Sequence, residues 1–146
     1  MIDKTHIGYA PDPVTMDIEK GRLKFFARST GQEDPIYLDE DAAKAVGFRA
    51  LPAPPTFLFS IDLEQEAPMA FLDLLGVDVG RILHGEQEFT YFQPICAGDT
   101  ITLKSRIEDI YDKKNGAMEF VVQKFSATNQ LGEHVADMTR TIVVRN

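Results

Sequence analysis

Hydrophobic and polar positions divide the chain into a helical first half and a strand-rich second half. In the second half, β-branched and aromatic residues alternate with polar ones over four runs, which are Ile82–Phe92, Thr100–Tyr111, Met118–Asn129 and His134–Val144. A period of two is typical of strands with one buried and one wet face. Because the turns between the runs are short, the pattern predicts four consecutive strands in an antiparallel meander.

The first half predicts short helices with recognisable ends. A stretch from Asp17 to Arg28 has an apolar stripe, and Asp39 caps a second helix that ends at Gly47. Pro54-Pro55 suits the first turn of a third helix, Thr56–Leu63, which is apolar on nearly all sides. Such a helix has to be buried. The predicted fold is therefore an α+β domain over residues 1–146, with a curled antiparallel sheet wrapped around this central helix.

Composition narrows the range of partners. The formal net charge is −8, so the chain lacks the basic surface that nucleic acids and anionic membranes require. A single cysteine, Cys96, excludes an internal disulfide and fits a reducing compartment. The first residues show neither a secretory signal nor an apolar run of membrane-spanning length. We expect a cytoplasmic protein that binds neither nucleic acid nor membrane.

The candidate reactive residues do not form a metal, cofactor or nucleophile site. His6, His84 and His134 lie far apart without the spacing of metal ligands. Cys96 and Ser60 have no adjacent base that would activate them. The chain also lacks a glycine-rich phosphate loop. We therefore expect no metal and no cofactor.

Four motifs occur in an order and spacing that resembles the MaoC-like hot-dog hydratases, and more narrowly their FAS1-like, N-terminal type of dehydratase domain. The motifs are Asp34-Pro-Ile-Tyr-Leu-Asp39, Ala53-Pro-Pro-Thr-Phe57, Ile82-Leu-His-Gly-Glu-Gln87 and Pro94-Ile-Cys-Ala-Gly-Asp99. The resemblance extends from about Ile7 to Val144. It implies a hot-dog fold that binds acyl thioesters of coenzyme A or acyl carrier protein. Active members hydrate trans-2-enoyl chains or dehydrate (R)-3-hydroxyacyl chains.

The resemblance also implies where the catalytic pair would be. Active members carry an aspartate two positions before an Asn-Pro pair and a histidine two positions after it. Taking Asp34-Pro35 as that pair places Gln32 in the aspartate position and Tyr37 in the histidine position. Glutamine does not titrate, and a phenol with a pKa of about 10 is a poor base near neutral pH. The chain is then expected to bind a thioester and to need a catalytic partner.

Two other acid–base candidates remain open. Asp34 and Tyr37 are either a shifted catalytic pair or an Asp-Pro turn followed by a half-buried tyrosine. His84 is either a catalytic group whose tautomer is held by Glu86 or Glu88, or a hydrogen-bonded structural residue.

The start of the central helix is the expected binding site for the thioester carbonyl. Free N–H groups at a helix start can donate to a carbonyl or an oxyanion, although two prolines leave only Thr56 and the residues after it as donors. An ordinary proline-capped helix is the alternative. The predicted substrate-binding residues are Gln32, Pro55, Thr56, Phe57 and Gly85.

Three functions are compatible with these observations. The first is a thioester-binding subunit that pairs with a catalytic MaoC-like chain. The second is a stand-alone homodimeric hydratase or thioesterase that uses His84 or Asp34. The third is a binding module without a reaction. Because the predicted sheet has an unpaired edge, we expect a homodimer or a heterodimer.

Overall fold

The computed structural model describes residues 1–146, in which a curled five-stranded antiparallel sheet packs against four short helices. The helices are α1 (Lys20–Ser29), α2 (Glu40–Ala45), α3 (Leu58–Leu63) and α4 (Ala70–Leu74). The strands are β1 (Val14–Asp17), β2 (Ile82–Tyr91), β3 (Thr100–Lys113), β4 (Met118–Thr128) and β5 (His134–Arg145). Three single-turn 3-10 helices are present at Lys4–His6, Pro35–Tyr37 and Val79–Arg81. The strand order is β1-β3-β4-β5-β2.

The four predicted strands are present, but the predicted meander is correct only for β3, β4 and β5. Strand β2 pairs with β5, and not with β3, which follows it in the sequence. The segment between β2 and β3 is bound elsewhere: the Ala53 N–H donates to the Ile95 carbonyl at 2.8 Å, and the Ala97 N–H donates to the Leu51 carbonyl at 2.8 Å. The connection between β2 and β3 therefore pairs with the extended chain that precedes α3 and does not form a hairpin.

The helix predicted from Asp17 begins at Lys20, because the residues before it form the strand β1. Val14 lies opposite Leu103, and Asp17 lies opposite Thr100. A strand of four residues is too short to show a clear period of two, so the sequence pattern did not reveal it.

Both predicted ends of α2 are confirmed. The Asp39 side chain accepts a hydrogen bond from the Asp41 N–H at 2.9 Å, which is an N-cap. Gly47 has a φ of +103°, and the Phe48 N–H donates to the Ala43 carbonyl at 3.1 Å. These are the features of a Schellman C-cap, which needs a residue without a Cβ at the left-handed position.

The central helix α3 lies against the concave face of the sheet and is shorter than predicted. A turn closed by the Phe57 N–H and the Pro54 carbonyl, at 2.9 Å, precedes its first residue, Leu58. The core consists of two apolar clusters, one around α3 and one around α4. The first includes Phe57, Leu58, Ile61, Phe125 and Met138, and the second includes Phe71, Leu72, Val121 and Ile142. None of the helices is both long and apolar enough to span a membrane.

Candidate functional site

The turn that begins α3 leaves the amides of Thr56 and Leu58 without a hydrogen-bond partner in the chain, and of these two residues Thr56 is the exposed one. The N–H of Phe57 is occupied by the carbonyl of Pro54, and prolines 54 and 55 have no N–H. The amide of Thr56, which is exposed, makes no hydrogen bond within the chain. The carbonyl of Pro55 accepts a hydrogen bond from the hydroxyl of Tyr91, so the turn is tied to strand β2.

Tyr91 is a site residue that the sequence did not predict. Burial raises the pKa of its phenol, and the nearby Tyr37 raises it further, so the hydroxyl remains protonated and donates to the Pro55 carbonyl. The ring also stacks with that of Phe89, with centroids 6.2 Å apart. The alternation of aromatic residues along β2 was the available signal, but it could not show which loop the tyrosine would contact.

The loop between α1 and α2 holds three of the predicted residues. The side-chain oxygen of Gln32 accepts a hydrogen bond from the Asp34 N–H at 3.1 Å. The Asp34 carboxylate accepts one from the Ile36 N–H at 3.1 Å and so caps the 3-10 helix that follows. Tyr37 is half-buried. This geometry is that of an Asp-Pro turn followed by a half-buried tyrosine.

His84 lies on β2 and is exposed to solvent. Its ring packs on that of Phe59, with centroids 5.3 Å apart and the planes tilted by 37°. No hydrogen bond joins it to Glu86 or Glu88, so neither carboxylate holds its tautomer. No hydrogen bond or ion pair joins His84 to Asp34 either, and the two candidates of the stand-alone mechanism are not linked within one chain.

Gly85 occupies a bulge in the pairing of β2 with β5, between His84 and Glu86. A Cβ atom at this position would lie 2.8 Å from Cγ2 of Val143 and 3.1 Å from the carbonyl oxygen of Thr141. Strands β2 and β5 approach so closely here that a side chain at position 85 would clash, which explains the glycine by the packing of the sheet.

A buried ion pair beneath Phe59 was not predicted. Nη1 of Arg140, on β5, lies 2.8 Å from Oδ2 of Asp62, on α3, and the two side chains are 3% and 7% exposed. The contact lacks hydrogen-bond alignment at Oδ2. Gln65 donates to the other carboxylate oxygen at 3.1 Å. Burial raises the pKa of Asp62 against the opposing pull of Arg140, and burial lowers the pKa of Arg140.

The surroundings of Arg140 extend this pair into a polar layer, which we define as Asp62, Arg140, Gln123 and Gln87. Oε1 of Gln123 accepts from Nε and Nη2 of Arg140 at 3.1 and 2.8 Å. Gln87 lies opposite Arg140 on β2, and its Oε1 has no hydrogen-bond partner. Three ring centroids lie 5.1 to 5.7 Å from the guanidinium carbon, those of Phe59, Phe71 and Phe125. The layer lies where the two apolar clusters meet.

The motif that ends at Asp99 has a structural explanation. The Asp99 carboxylate is buried and accepts from the Cys96 N–H at 2.8 Å and from Nε2 of Gln130 at 3.2 Å. It also pairs with Arg49. Burial alone would raise the pKa of Asp99, but these three donors together outweigh it and hold the pKa below its usual value.

Comparisons with known proteins agree with this architecture. A family model described as "FAS1-like, dehydratase domain region" matches residues 5–138. A UPF0336 protein of Streptomyces avermitilis is 35% identical over 147 residues, covering 99% of this chain and 95% of the relative.

Two solved structures illustrate the fold. The C-terminally truncated HadBC (3R-hydroxyacyl-ACP dehydratase) complex from Mycobacterium tuberculosis aligns with a TM-score of 0.77 and 26% identity, covering 94% of this chain and 96% of that chain. A MaoC-like dehydratase aligns with a TM-score of 0.83 and 23% identity, covering 97% of this chain and 42% of that chain. The family match covers most of the sequence, and the chain belongs to the FAS1-like dehydratase family, with the hot-dog fold of the MaoC-like dehydratases.

Proposed function

We propose that this chain, as one cytoplasmic hot-dog domain, is the acyl-thioester-binding subunit of an (R)-specific enoyl hydratase or 3-hydroxyacyl dehydratase, and that a second MaoC-like chain supplies the catalytic pair. One observation carries the proposal. In the loop where active members hold an aspartate and a histidine, this chain has Gln32, whose side chain bonds the Asp34 amide, and Tyr37, which is half-buried.

The chemistry explains why this substitution matters. Hydration adds a hydroxyl group to C3 of the enoyl chain and a proton to C2, so one group must take a proton from water and one must deliver a proton to carbon. Gln32 has no proton to exchange, and an ordinary tyrosine with a pKa of about 10 is almost fully protonated near neutral pH. Tyr91, the other phenol nearby, has a pKa raised by burial and is a weaker acid still. We therefore assign the proton transfers to the partner.

The start of α3 supports thioester binding. Thr56 is exposed, and its N–H, which has no partner within the chain, can donate to the thioester carbonyl. The hydroxyl of Tyr91 holds the neighbouring Pro55 carbonyl, and the buried ring of Phe57 anchors the other side of the turn. A donor fixed on both sides needs little reorganisation when it binds a carbonyl.

The free edge of β2 supports the partner. Strand β2 is an edge strand of ten residues. Leu83 near its start is 48% exposed, and Phe92, directly after its last residue, is 54% exposed. Long edges of this kind are covered in native proteins by another element or chain. The similar HadBC structure is a complex by its description. We propose a heterodimer with the catalytic chain, and a homodimer is the alternative.

The proposal is tested by binding and turnover together. Crotonyl-CoA and a longer trans-2-enoyl-CoA are titrated against the purified chain by calorimetry, and hydration is followed at the enoyl absorbance. We expect saturable binding and no hydration. Thr56→Pro removes the donor N–H and should weaken binding, whereas Thr56→Ala keeps it and serves as the control. Hydration by the chain alone that is lost in His84→Ala would instead support the stand-alone enzyme, and absence of binding would refute the proposal.

A further inference from the structure

We propose that the outer face of the sheet holds a second binding site, which takes a phosphorylated small molecule with free hydroxyl groups, such as a sugar phosphate. The site is a cavity of about 570 Å³. Small-molecule sites in proteins commonly have volumes of about 300–1,000 Å³. Of the eleven residues that line it, only Ala10, Phe125 and Met138 are apolar, and the last two belong to the core. A polar ligand therefore fits this cavity better than an apolar one.

The alternation of side chains along the strands places the cavity on the face opposite α3. Thr90 of β2 lines the cavity, whereas the next residue, Tyr91, contacts the turn before α3. On β3, Lys104 lines the cavity, whereas Leu103 belongs to the core. Successive side chains of a strand point to opposite faces. The sheet therefore lies between the cavity and the proposed thioester site.

Three cationic side chains line the cavity on β3 and β4, and they are incompletely paired. Arg106 and Lys124 lie directly opposite each other in the pairing of the two strands, and like charges in this position destabilise a sheet. They share one carboxylate: Oε2 of Glu108 lies 2.7 Å from Nη2 of Arg106, and Oε1 lies 3.1 Å from Nζ of Lys124. Lys104 forms no ion pair. In a chain whose net charge is −8, the cavity thus concentrates positive charge that the chain does not neutralise.

A phosphate group is the ligand that these cations suit. It carries about 1.5 to 2 negative charges near neutral pH and has three strong acceptor oxygens, so one group can bond several cations at once. Its binding would also reduce the repulsion between Arg106 and Lys124, which a single carboxylate has to offset in the free chain. Side chains alone provide these contacts, and a glycine-rich phosphate loop is not needed.

The part of the cavity on β5 and β2 offers partners for hydroxyl groups. Lys104, Ser126, Asp137 and Thr90 follow one another in a row across β3, β4, β5 and β2. Oδ1 of Asp137 lies 2.7 Å from Nε2 of His134, and Oδ2 has no partner in the chain. A carboxylate oxygen accepts hydrogen bonds from hydroxyl groups, and serine and threonine both donate and accept them.

The spacing of the strands separates the two parts of the ligand. Neighbouring strands lie about 4.8 Å apart, so β3 and β5 are about 10 Å apart. A sugar ring can lie across this distance, with its phosphate at the cations and a hydroxyl group at Asp137. Phosphate without a sugar would leave Asp137 unused, which is why we assign the site to a phosphorylated compound with hydroxyl groups.

The experiment titrates ribose 5-phosphate and inorganic phosphate against the purified chain by calorimetry at constant ionic strength. We expect saturable binding of both, with ribose 5-phosphate bound about tenfold more tightly because of its hydrogen bond to the Asp137 carboxylate. Lys104→Gln should weaken both ligands by at least tenfold. Asp137→Ala should weaken only ribose 5-phosphate. The matched control is Lys4→Gln, which removes the same charge from an exposed lysine outside the cavity and should keep both wild-type affinities.

Two sources of a phosphorylated sugar are distinguished with thioesters. If a free sugar phosphate is the ligand, Lys104→Gln should leave the affinity for crotonyl-CoA unchanged. If the phosphorylated ribose of coenzyme A occupies the cavity, the same variant should weaken crotonyl-CoA by at least tenfold and leave crotonyl-pantetheine, which carries no phosphate, unaffected.

Three results would overturn the proposal. One is the absence of saturable ribose 5-phosphate binding by the wild type. Another is wild-type affinity for ribose 5-phosphate in Lys104→Gln, which would place the ligand elsewhere. The third is an equal loss in Lys4→Gln, which would show a general effect of net charge. Binding of ribose 5-phosphate without binding of any thioester would refute the proposed function and leave the cavity site standing.

Discussion

The buried ion pair gives a prediction about stability that can be worked from the structure. Asp62→Leu leaves the guanidinium of Arg140 without its counter-charge in a site where its side chain is 3% exposed. Breaking a buried pair from one side typically costs about 3–5 kcal/mol. We expect a loss of this size in the free energy of unfolding. Asp62→Leu/Arg140→Met removes both charges and should restore at least most of it, because an apolar pair of similar volume has nothing to desolvate.

The single variant Arg140→Met adds a pH dependence. Burial raises the pKa of Asp62 already in the wild type, and without Arg140 the carboxylate loses the charge that opposes this shift. When the pKa of Asp62 is higher in the folded than in the unfolded chain, the group's contribution to stability is fully present below the unfolded pKa of about 3.9. That contribution is lost as the pH rises through the folded pKa. Arg140→Met should therefore be least destabilised in acid and most destabilised near neutral pH.

The assay is urea unfolding of the wild type, the two single variants and the double variant, analysed as a double-mutant cycle. We expect a coupling energy of about 3 kcal/mol or more between the two positions. The exposed pair of Arg106 and Glu108 provides the control cycle, and its coupling energy should be about 0.2–1 kcal/mol. If the effects at Asp62 and Arg140 add to within about 0.5 kcal/mol, the two charges are not energetically coupled and the reasoning is refuted.

Three further variants test the surroundings of the site. The pKa of Asp99 is held low by its hydrogen-bond donors despite burial, so the ionised carboxylate adds to the free energy of unfolding above the unfolded pKa of about 3.9, and this contribution is lost as the pH falls through the folded pKa. Asp99→Asn should therefore make the free energy of unfolding fall less steeply in acid, and an unchanged fall would contradict this. Gly85→Ala places a Cβ 2.8 Å from Val143 and should lower the free energy of unfolding by about 1–3 kcal/mol in a urea titration, whereas no change would show that the bulge tolerates a side chain. Tyr91→Phe releases the Pro55 carbonyl and should cost about 0.5–1.5 kcal/mol and weaken crotonyl-CoA binding in calorimetry, and wild-type affinity would argue against a role in holding the turn.

Features encoded locally were predictable from the sequence. The caps of α2 depend on Asp39 and Gly47, which lie within a few residues of the bonds that they form or permit. The turn between β3 and β4 is local as well, because Asn115 and Gly116 tolerate the left-handed conformation that both adopt, with φ values of +53° and +82°. Strands β2 to β5 were found because each extends over ten or more residues, whereas the four-residue β1 was missed.

Pairings between distant segments were not predictable in this way. The pattern of β2 shows which side chains share a face but does not name β5 as its neighbour, because strand order depends on how the connection from residue 92 to residue 99 runs. The same limit applied to the site. Asp62 and Arg140 lie 78 positions apart, and each by itself looks like an isolated polar residue in an apolar element. Only the fold brings them together beneath Phe59.

The measurement that tests the central claim most directly is hydration of crotonyl-CoA by the native chain alone, by a MaoC-like chain that retains the aspartate–histidine pair, and by the two together. The proposal assigns the proton transfers to the partner and not to Gln32 or Tyr37, so it predicts no turnover by the native chain alone. It predicts higher turnover by the mixture than by the catalytic chain alone. Hydration by the native chain without a partner, at a rate that the mixture does not exceed, would contradict it.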